Sequence, residues 1–146
     1  MTGLKSMRAL FVTLSFLFPV MAHSEVKTEV YCFRSQEGKS INFELRTYYD
    51  STVKWQGASV KYSKSKEAIA LVYGGAEEEF PNPNRPPEIT TKWVEVSGGM
   101  VTGDYVMASQ DPFIYGIVYT NRKSGKKYIF EHDSNMSALP ETGCQW

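Results

Sequence analysis

Apolar and polar residues alternate with a period of two along most of the chain after residue 25. The clearest case is the stretch 39–47, where Ile41, Phe43 and Leu45 alternate with polar side chains. Successive side chains of a β-strand point to opposite faces, so this period is typical of a half-buried strand. The pattern predicts eight strands, at residues 27–33, 39–47, 52–62, 67–73, 89–96, 100–108, 113–119 and 127–132. The stretch 113–119 is apolar throughout, so we expect it to be the most buried strand.

The segments between these stretches are mostly short and polar, and no amphipathic helix is predicted after residue 25. Gly57 and Gly103 interrupt two of the stretches; Gly57 predicts a bulge or a sharp bend, and Gly103 predicts a bend. Residues 74–88 contain three consecutive glutamates and four prolines, which predicts a long exposed loop between two four-strand halves. The fold class that follows is all-β, a small eight-stranded antiparallel barrel or a strongly curled sheet. A two-sheet sandwich is the alternative.

The first 24 residues have the pattern of a cleavable secretory signal peptide. Lys5 and Arg8 precede an apolar run at 9–18, and the small residues Ala22 and Ser24 follow it. A membrane anchor is the alternative, but the run is about ten residues and a spanning helix needs about twenty. We therefore expect a signal peptide at 1–24, a single β domain at 25–146, and a periplasmic or secreted protein.

Cys32 and Cys144 are the only two cysteines of the chain. In an oxidising compartment such a pair most often forms a structural disulfide, and two free buried thiols are the alternative. A link closing a loop of this length contributes about 4–5 kcal/mol in the chain-entropy model. His132 is the single histidine after residue 24, so the domain offers too few ligands for a zinc site. We expect no metal and no cofactor.

The charge balance argues against two classes of partner. The chain has 16 basic and 16 acidic residues, whereas nucleic-acid-binding proteins usually carry a basic excess. The predicted outer faces of the strands carry charged residues where a lipid-facing band would be apolar, so we expect no membrane span. Catalytic patterns are sparse, because the neighbours His132 and Asp133 would point to opposite faces of a strand. We therefore expect a protein without enzymatic activity.

Two predicted loops have the composition of a protein-binding surface. Glycine lets the backbone approach a partner closely, tyrosine is a frequent interface residue, and a basic hairpin tip suits an acidic partner. Either loop could also be an ordinary turn. The partner-binding residues that we expect are Ser97, Gly98, Gly99, Gly103 and Tyr105 in one loop, and Arg122 and Lys123 in the other. Separately, Trp55, Trp93 and the nine tyrosines could line a ligand cavity or fill the core.

Several of these features together resemble the bacterial periplasmic lysozyme inhibitors. They are the early Tyr31 and Cys32, the late Cys144, the eight predicted strands and the central Ser97 and Gly98. The resemblance implies a small antiparallel barrel that blocks a lysozyme cleft with a Ser-Gly loop and a nearby basic residue. The C-type branch of that family places a tyrosine three residues after the glycine, where this chain has Val101.

The function that we expect is an exported, non-enzymatic protein that binds and inhibits a cell-wall-targeting enzyme. That enzyme would be a lysozyme or the secreted effector of a rival bacterium, in which case the chain would act as an immunity protein. The alternative is a small barrel that carries or senses an apolar small ligand in the periplasm.

Overall fold

The computed structural model describes residues 25–37 and 41–146, so the predicted signal peptide lies outside the described residues. Within those ranges, no helix has the length and apolar character needed to cross a membrane. The eight main strands are β1 (Val26–Ser35), β2 (Asn42–Asp50), β3 (Trp55–Tyr62), β4 (Ile69–Glu79), β5 (Glu88–Ser97), β6 (Met100–Gln110), β7 (Phe113–Asn121) and β8 (Lys127–His132).

Each of these strands pairs in the antiparallel sense with the next, and β1 also pairs with β8. The result is a closed eight-stranded barrel, which confirms the all-β barrel prediction and excludes the sandwich. Closure depends on a short contact, the pairs Phe33–His132, Arg34–Glu131 and Ser35–Phe130. Seven consecutive antiparallel pairings need only local connections, so a chain of short strands closes readily into a barrel.

The predicted loop at 74–88 is wrong in its first part. Strand β4 continues to Glu79 and pairs with β5, with a register shift between Tyr73 and Gly75. Gly75 has a φ of 111°, a conformation that residues with a side chain rarely adopt, and it allows this bulge. The glutamates that follow are exposed, so their charges do not oppose strand formation, and the loop occupies only residues 80–87.

One other sequence prediction is also wrong, and of the bulge or bend predicted at Gly57 the bulge is absent. Strand β7 is not the most buried, because Phe113 and Tyr115 are exposed at the end of β7 where β8 does not pair with it. Gly57 lies in regular register opposite Tyr48 and Val72, without a bulge. Its function is to make room, since a Cβ atom there would lie 2.4 Å from the ring of Trp55.

The core fills the middle of the barrel with large side chains. They interlock through ring contacts, with the Phe43 ring 4.7 Å from Phe130 and 5.3 Å from Phe33. The buried members are Phe33, Phe43, Leu45, Ala58, Val60, Leu71, Trp93, Tyr105, Met107, Ile117 and Phe130. Side chains therefore occupy the middle of the barrel.

The C-terminal segment returns to the outside of β1 and β2, where Cys144 forms the predicted disulfide with Cys32. Within the segment, β9 (Ala138–Leu139) and β10 (Gly143–Cys144) form a two-stranded sheet. The carboxylate of Glu44 accepts the Cys144 backbone N–H at 2.9 Å and pairs with Arg46 at 2.7 Å. The disulfide therefore fixes the tail against the barrel wall together with a buried polar contact.

The alternating direction of the strands gives the barrel two distinct ends. The β5–β6 and β7–β8 connections lie at one end, which we call the turn end. The start of β1 and the β2–β3, β4–β5 and β6–β7 connections lie at the other, which we call the mouth end.

Candidate protein-binding site

The β5–β6 connection is a two-residue hairpin that projects from the turn end. Ser97 pairs with Met100 across the turn, and Gly98 and Gly99 have φ values of 58° and 76°. Two-residue hairpins with positive φ at both central positions match the twist of the strands, which explains the two glycines. A Cβ atom on either glycine would meet nothing within 4 Å, and Met100 is 69% exposed, so the tip is narrow and accessible.

The β7–β8 hairpin, with Arg122 and Lys123, lies directly beside this turn. The backbone N–H of Arg122 donates to the carbonyl of Thr102 at 3.0 Å. The Arg122 guanidinium donates to both carboxylate oxygens of Asp104, at 2.8 and 2.9 Å, and holds the pKa of that carboxyl below its usual range. The structure therefore brings together the two loops that the sequence indicated separately.

We call the exposed residues of this joint region the turn-end surface. Its members are Ser97, Gly98, Gly99, Met100, Val101, Arg122 and Lys123. The sequence placed Met100 and Val101 within the candidate loop from Ser97 to Tyr105 but did not single them out as contact residues. Their position next to the Gly-Gly turn, where the strand alternation begins, is the signal that could have identified them.

Gly103 and Tyr105 do not belong to the turn-end surface, which corrects the sequence prediction for both. The Tyr105 side chain is 0% exposed and packs within the core. A Cβ atom at Gly103 would lie 2.2 Å from the ring of Tyr119, so this glycine makes room inside the barrel. Both residues lie on the inward face because they alternate in step with Met107, which lines the core.

A hydrogen-bonded network surrounds the buried carboxylate of Glu95, just beneath the turn-end surface. Glu95 accepts hydrogen bonds from the hydroxyls of Thr102 at 2.6 Å, Tyr105 at 3.0 Å and Tyr119 at 3.2 Å. A further hydrogen bond of 2.8 Å joins the hydroxyls of Tyr62 and Tyr105. Because Thr102 also accepts the backbone N–H of Arg122, this network connects the barrel interior to both hairpins.

Burial and the nearby carboxylate perturb the tyrosines of this network. Burial is the main reason that the pKa values of Tyr62 and Tyr105 lie above the usual range for tyrosine. Burial and, next, the charge of Glu95 raise the pKa of Tyr119 to about 12. The phenols are therefore protonated at neutral pH, and their hydroxyls donate hydrogen bonds within the network around Glu95. Sequence reasoning missed Glu95, although period two places it on the same face as Trp93.

The mouth end contains a cavity of about 340 Å³, in which Trp93 forms part of the wall. Trp55, the other tryptophan that the sequence proposed for a ligand cavity, is exposed on the rim instead. No group of three or more His, Cys, Asp or Glu side chains is placed to hold a metal ion in residues 25–37 and 41–146.

Comparison with known proteins found no match to this chain among protein-family models, curated proteins or solved structures.

Proposed function

We propose that this protein is exported and that its turn-end surface binds and inhibits a cell-wall-degrading enzyme. The observation that carries the proposal is the junction of the two hairpins. The contacts of Arg122 with Thr102 and Asp104 turn two separate loops into one protruding surface.

The shape of the β5–β6 hairpin suits insertion into a cleft. Gly98 and Gly99 add no side chains to the tip, and Met100 provides an exposed apolar group beside it. The Glu95 network and the Arg122 contacts hold the hairpin in place before binding. A preorganised loop loses little conformational freedom on binding, which favours affinity.

The charge of the surface suits an enzyme that cleaves glycosidic bonds. Such enzymes hold a pair of carboxyl groups on either side of the scissile bond. Lys123 is exposed at the hairpin tip and supplies the positive charge, whereas the charge of Arg122 next to it is compensated by Asp104. Positive charge on the inhibitor and negative charge in the cleft favour rapid and specific association. The mechanism would be steric, because the hairpin would occupy the space of the substrate.

A turbidity assay tests this proposal. Clearing of peptidoglycan suspensions is measured with c-, g- and i-type lysozymes and with bacterial peptidoglycan hydrolases, each with and without the protein. We expect micromolar protein to slow at least one of these enzymes. If the protein inhibits no lysozyme, lysozyme is not the target. If it inhibits none of the enzymes tested, the proposal is contradicted.

Variants locate the inhibitory surface. We expect Met100→Asp and Lys123→Glu each to raise the inhibitory concentration by about tenfold, since contacts at the centre of an interface are worth more than about 1 kcal/mol. Lys64→Glu is the matched control, because Lys64 is an exposed lysine in the β3–β4 turn at the same end of the barrel. An equal loss in the control would place the contact on another surface.

A further inference from the structure

The cavity at the mouth end lies opposite the turn-end surface and has a separate character. It lies between the first half of β1, the last part of β2, the start of β3, the first half of β5 and the last part of β6. The lining residues are Lys27, Glu29, Tyr31, Thr47, Tyr48, Tyr49, Gln56, Thr91, Trp93 and Met107. We propose that this cavity binds a small neutral amphiphile, a molecule with an apolar body and one hydrogen-bond acceptor.

The cavity exists because β1 and β8 close the barrel only near the turn end and leave it open towards the mouth end. The pairing of β1 with β8 includes Phe33 but no earlier residue, and the pairing of β7 with β8 begins at Ile117. The start of β1 and the start of β7 therefore have no strand neighbour on this side among the described residues. The packed core ends at Trp93 and Met107, and the space beyond them stays open to the mouth.

The walls of the cavity favour an apolar and uncharged molecule. Rings of Tyr31, Tyr49 and Trp93 and the thioether of Met107 provide apolar contact. The only charged lining residues are Lys27 and Glu29, which pair with each other at 2.6 Å. The Tyr31 hydroxyl also donates to the Glu29 carboxylate at 2.7 Å. Because this pair compensates its own charge, a charged ligand would lose its hydration without gaining a free counter-charge.

The indole N–H of Trp93 indicates the polar part of the ligand. Trp93 is 3% exposed, and its Nε1 is buried without an acceptor among the described residues. Buried donors without a partner are uncommon in folded proteins, and each one calls for an explanation. A ligand that brings an acceptor to this wall of the cavity would satisfy the Trp93 N–H.

Exposed apolar side chains surround the mouth end. They lie at the starts of β1, β3 and β7 and in the β2–β3 and β4–β5 connections, and they are Val26, Trp55, Phe113, Val53 and Phe80. Such a rim gives an apolar molecule a contact surface on its way into the cavity. A volume of about 340 Å³ lies at the lower end of the range for small-molecule pockets, about 300–1,000 Å³, so a molecule the size of a fused two-ring aromatic is a suitable probe.

Three probes of one shape test the ligand class. Naphthol has a neutral acceptor, naphthalene has none, and naphthoate carries a negative charge. Binding to the wild-type protein at neutral pH is measured by probe fluorescence and by amide chemical shifts. We expect naphthol to bind most tightly and naphthoate most weakly. Naphthoate as the tightest ligand, or no saturable binding of any probe, would overturn the proposal.

Two variants and a matched control test the location. Trp93→Phe should weaken naphthol about three- to tenfold, the usual net effect of one hydrogen bond, and leave naphthalene unchanged. Thr91→Phe should fill the cavity and weaken both probes at least tenfold. Thr90→Phe places the same ring on the outer face of β5, where Thr90 is exposed, and should change neither.

The chemical shifts of the wild-type protein keep the test independent of how the variants fold. Naphthol should shift the amides of Thr47, Gln56 and Met107 at the mouth end. Shifts confined to the turn end would refute the location. If a folded Trp93→Phe protein loses the same factor of affinity for naphthol and for naphthalene, the role of the indole N–H is refuted.

Discussion

The hydroxyl of Tyr105 gives a sharp test of the network beneath the turn-end surface. Tyr105→Phe removes one oxygen atom and leaves the buried ring in place. That oxygen bonds to Glu95 at 3.0 Å and to Tyr62 at 2.8 Å. A hydrogen bond to a charged group contributes about 1.5–3 kcal/mol and a neutral one about 0.5–1.5 kcal/mol. Because Thr102 and Tyr119 still donate to Glu95, we expect a loss of about 2–3 kcal/mol.

Urea denaturation followed by tryptophan fluorescence, with the disulfide intact, measures this loss. For a domain of this size the free energy of unfolding falls by about 1–3 kcal/mol per molar urea, so the midpoint should fall by about 1 M or more. Tyr115→Phe is the control, since Tyr115 is exposed and its hydroxyl donates to Gln110 at 2.8 Å. We expect that control to change stability by less than about 0.5 kcal/mol.

Two results would refute this reasoning. Equal midpoint shifts for Tyr105→Phe and Tyr115→Phe would show that the Glu95 network adds no stability. Loss of partner binding by Tyr105→Phe at unchanged stability would show that this side chain reaches the surface. The structure predicts the opposite combination, in which Tyr105→Phe lowers the stability and the turn-end surface still binds the partner.

Three further predictions concern the disulfide and the interior. Replacing Cys32 and Cys144 together by serine should lower the free energy of unfolding by about 4–5 kcal/mol, because the link spans a sequence separation of 112 residues; equal denaturation midpoints for the oxidised and reduced protein would contradict this. Gly103→Ala should lower the melting temperature, since its Cβ would lie 2.2 Å from the Tyr119 ring and overpacking costs about 1–3 kcal/mol; an unchanged melting temperature would show that Tyr119 moves freely. The pKa of Tyr119 is raised from 10.0 to about 12, so the folded state favours the protonated phenol. The contribution of this phenol to the free energy of unfolding is complete below pH 10 and is lost as the pH rises from 10 to about 12. An ultraviolet titration should show late tyrosine ionisation that Tyr119→Phe reduces without abolishing, because the pKa values of Tyr62 and Tyr105 are also raised. Ionisation of every tyrosine near pH 10 would refute this prediction.

The strands and the disulfide were predictable because their signals are local. Alternation at Ile41, Phe43 and Leu45 reflects burial of one face, and two cysteines allow a single pairing. Composition alone misled the prediction at residues 74–79. Charge and glycine there suggested a loop, but an exposed strand tolerates charged residues and Gly75 forms the bulge that restores pairing.

The candidate site was predictable only in part, because it depends on register and curvature. The sequence indicated Ser97 to Gly99 and Arg122 as separate turns, and only the pairing of β6 with β7 places Arg122 beside Thr102. The direction of Tyr105 depends on which face of β6 the barrel encloses, and alternation by itself leaves that face undetermined. The open side at the mouth end follows from the short pairing of β8, which no local pattern encodes.

Competition for the cleft tests the proposed inhibition most directly. Binding of the hydrolase that the turbidity panel selects is measured by calorimetry, with and without a saccharide fragment of its substrate. If the β5–β6 hairpin occupies the cleft, the apparent affinity should fall in proportion to the saccharide bound. An affinity that saccharide leaves unchanged would contradict cleft blocking by the turn-end surface.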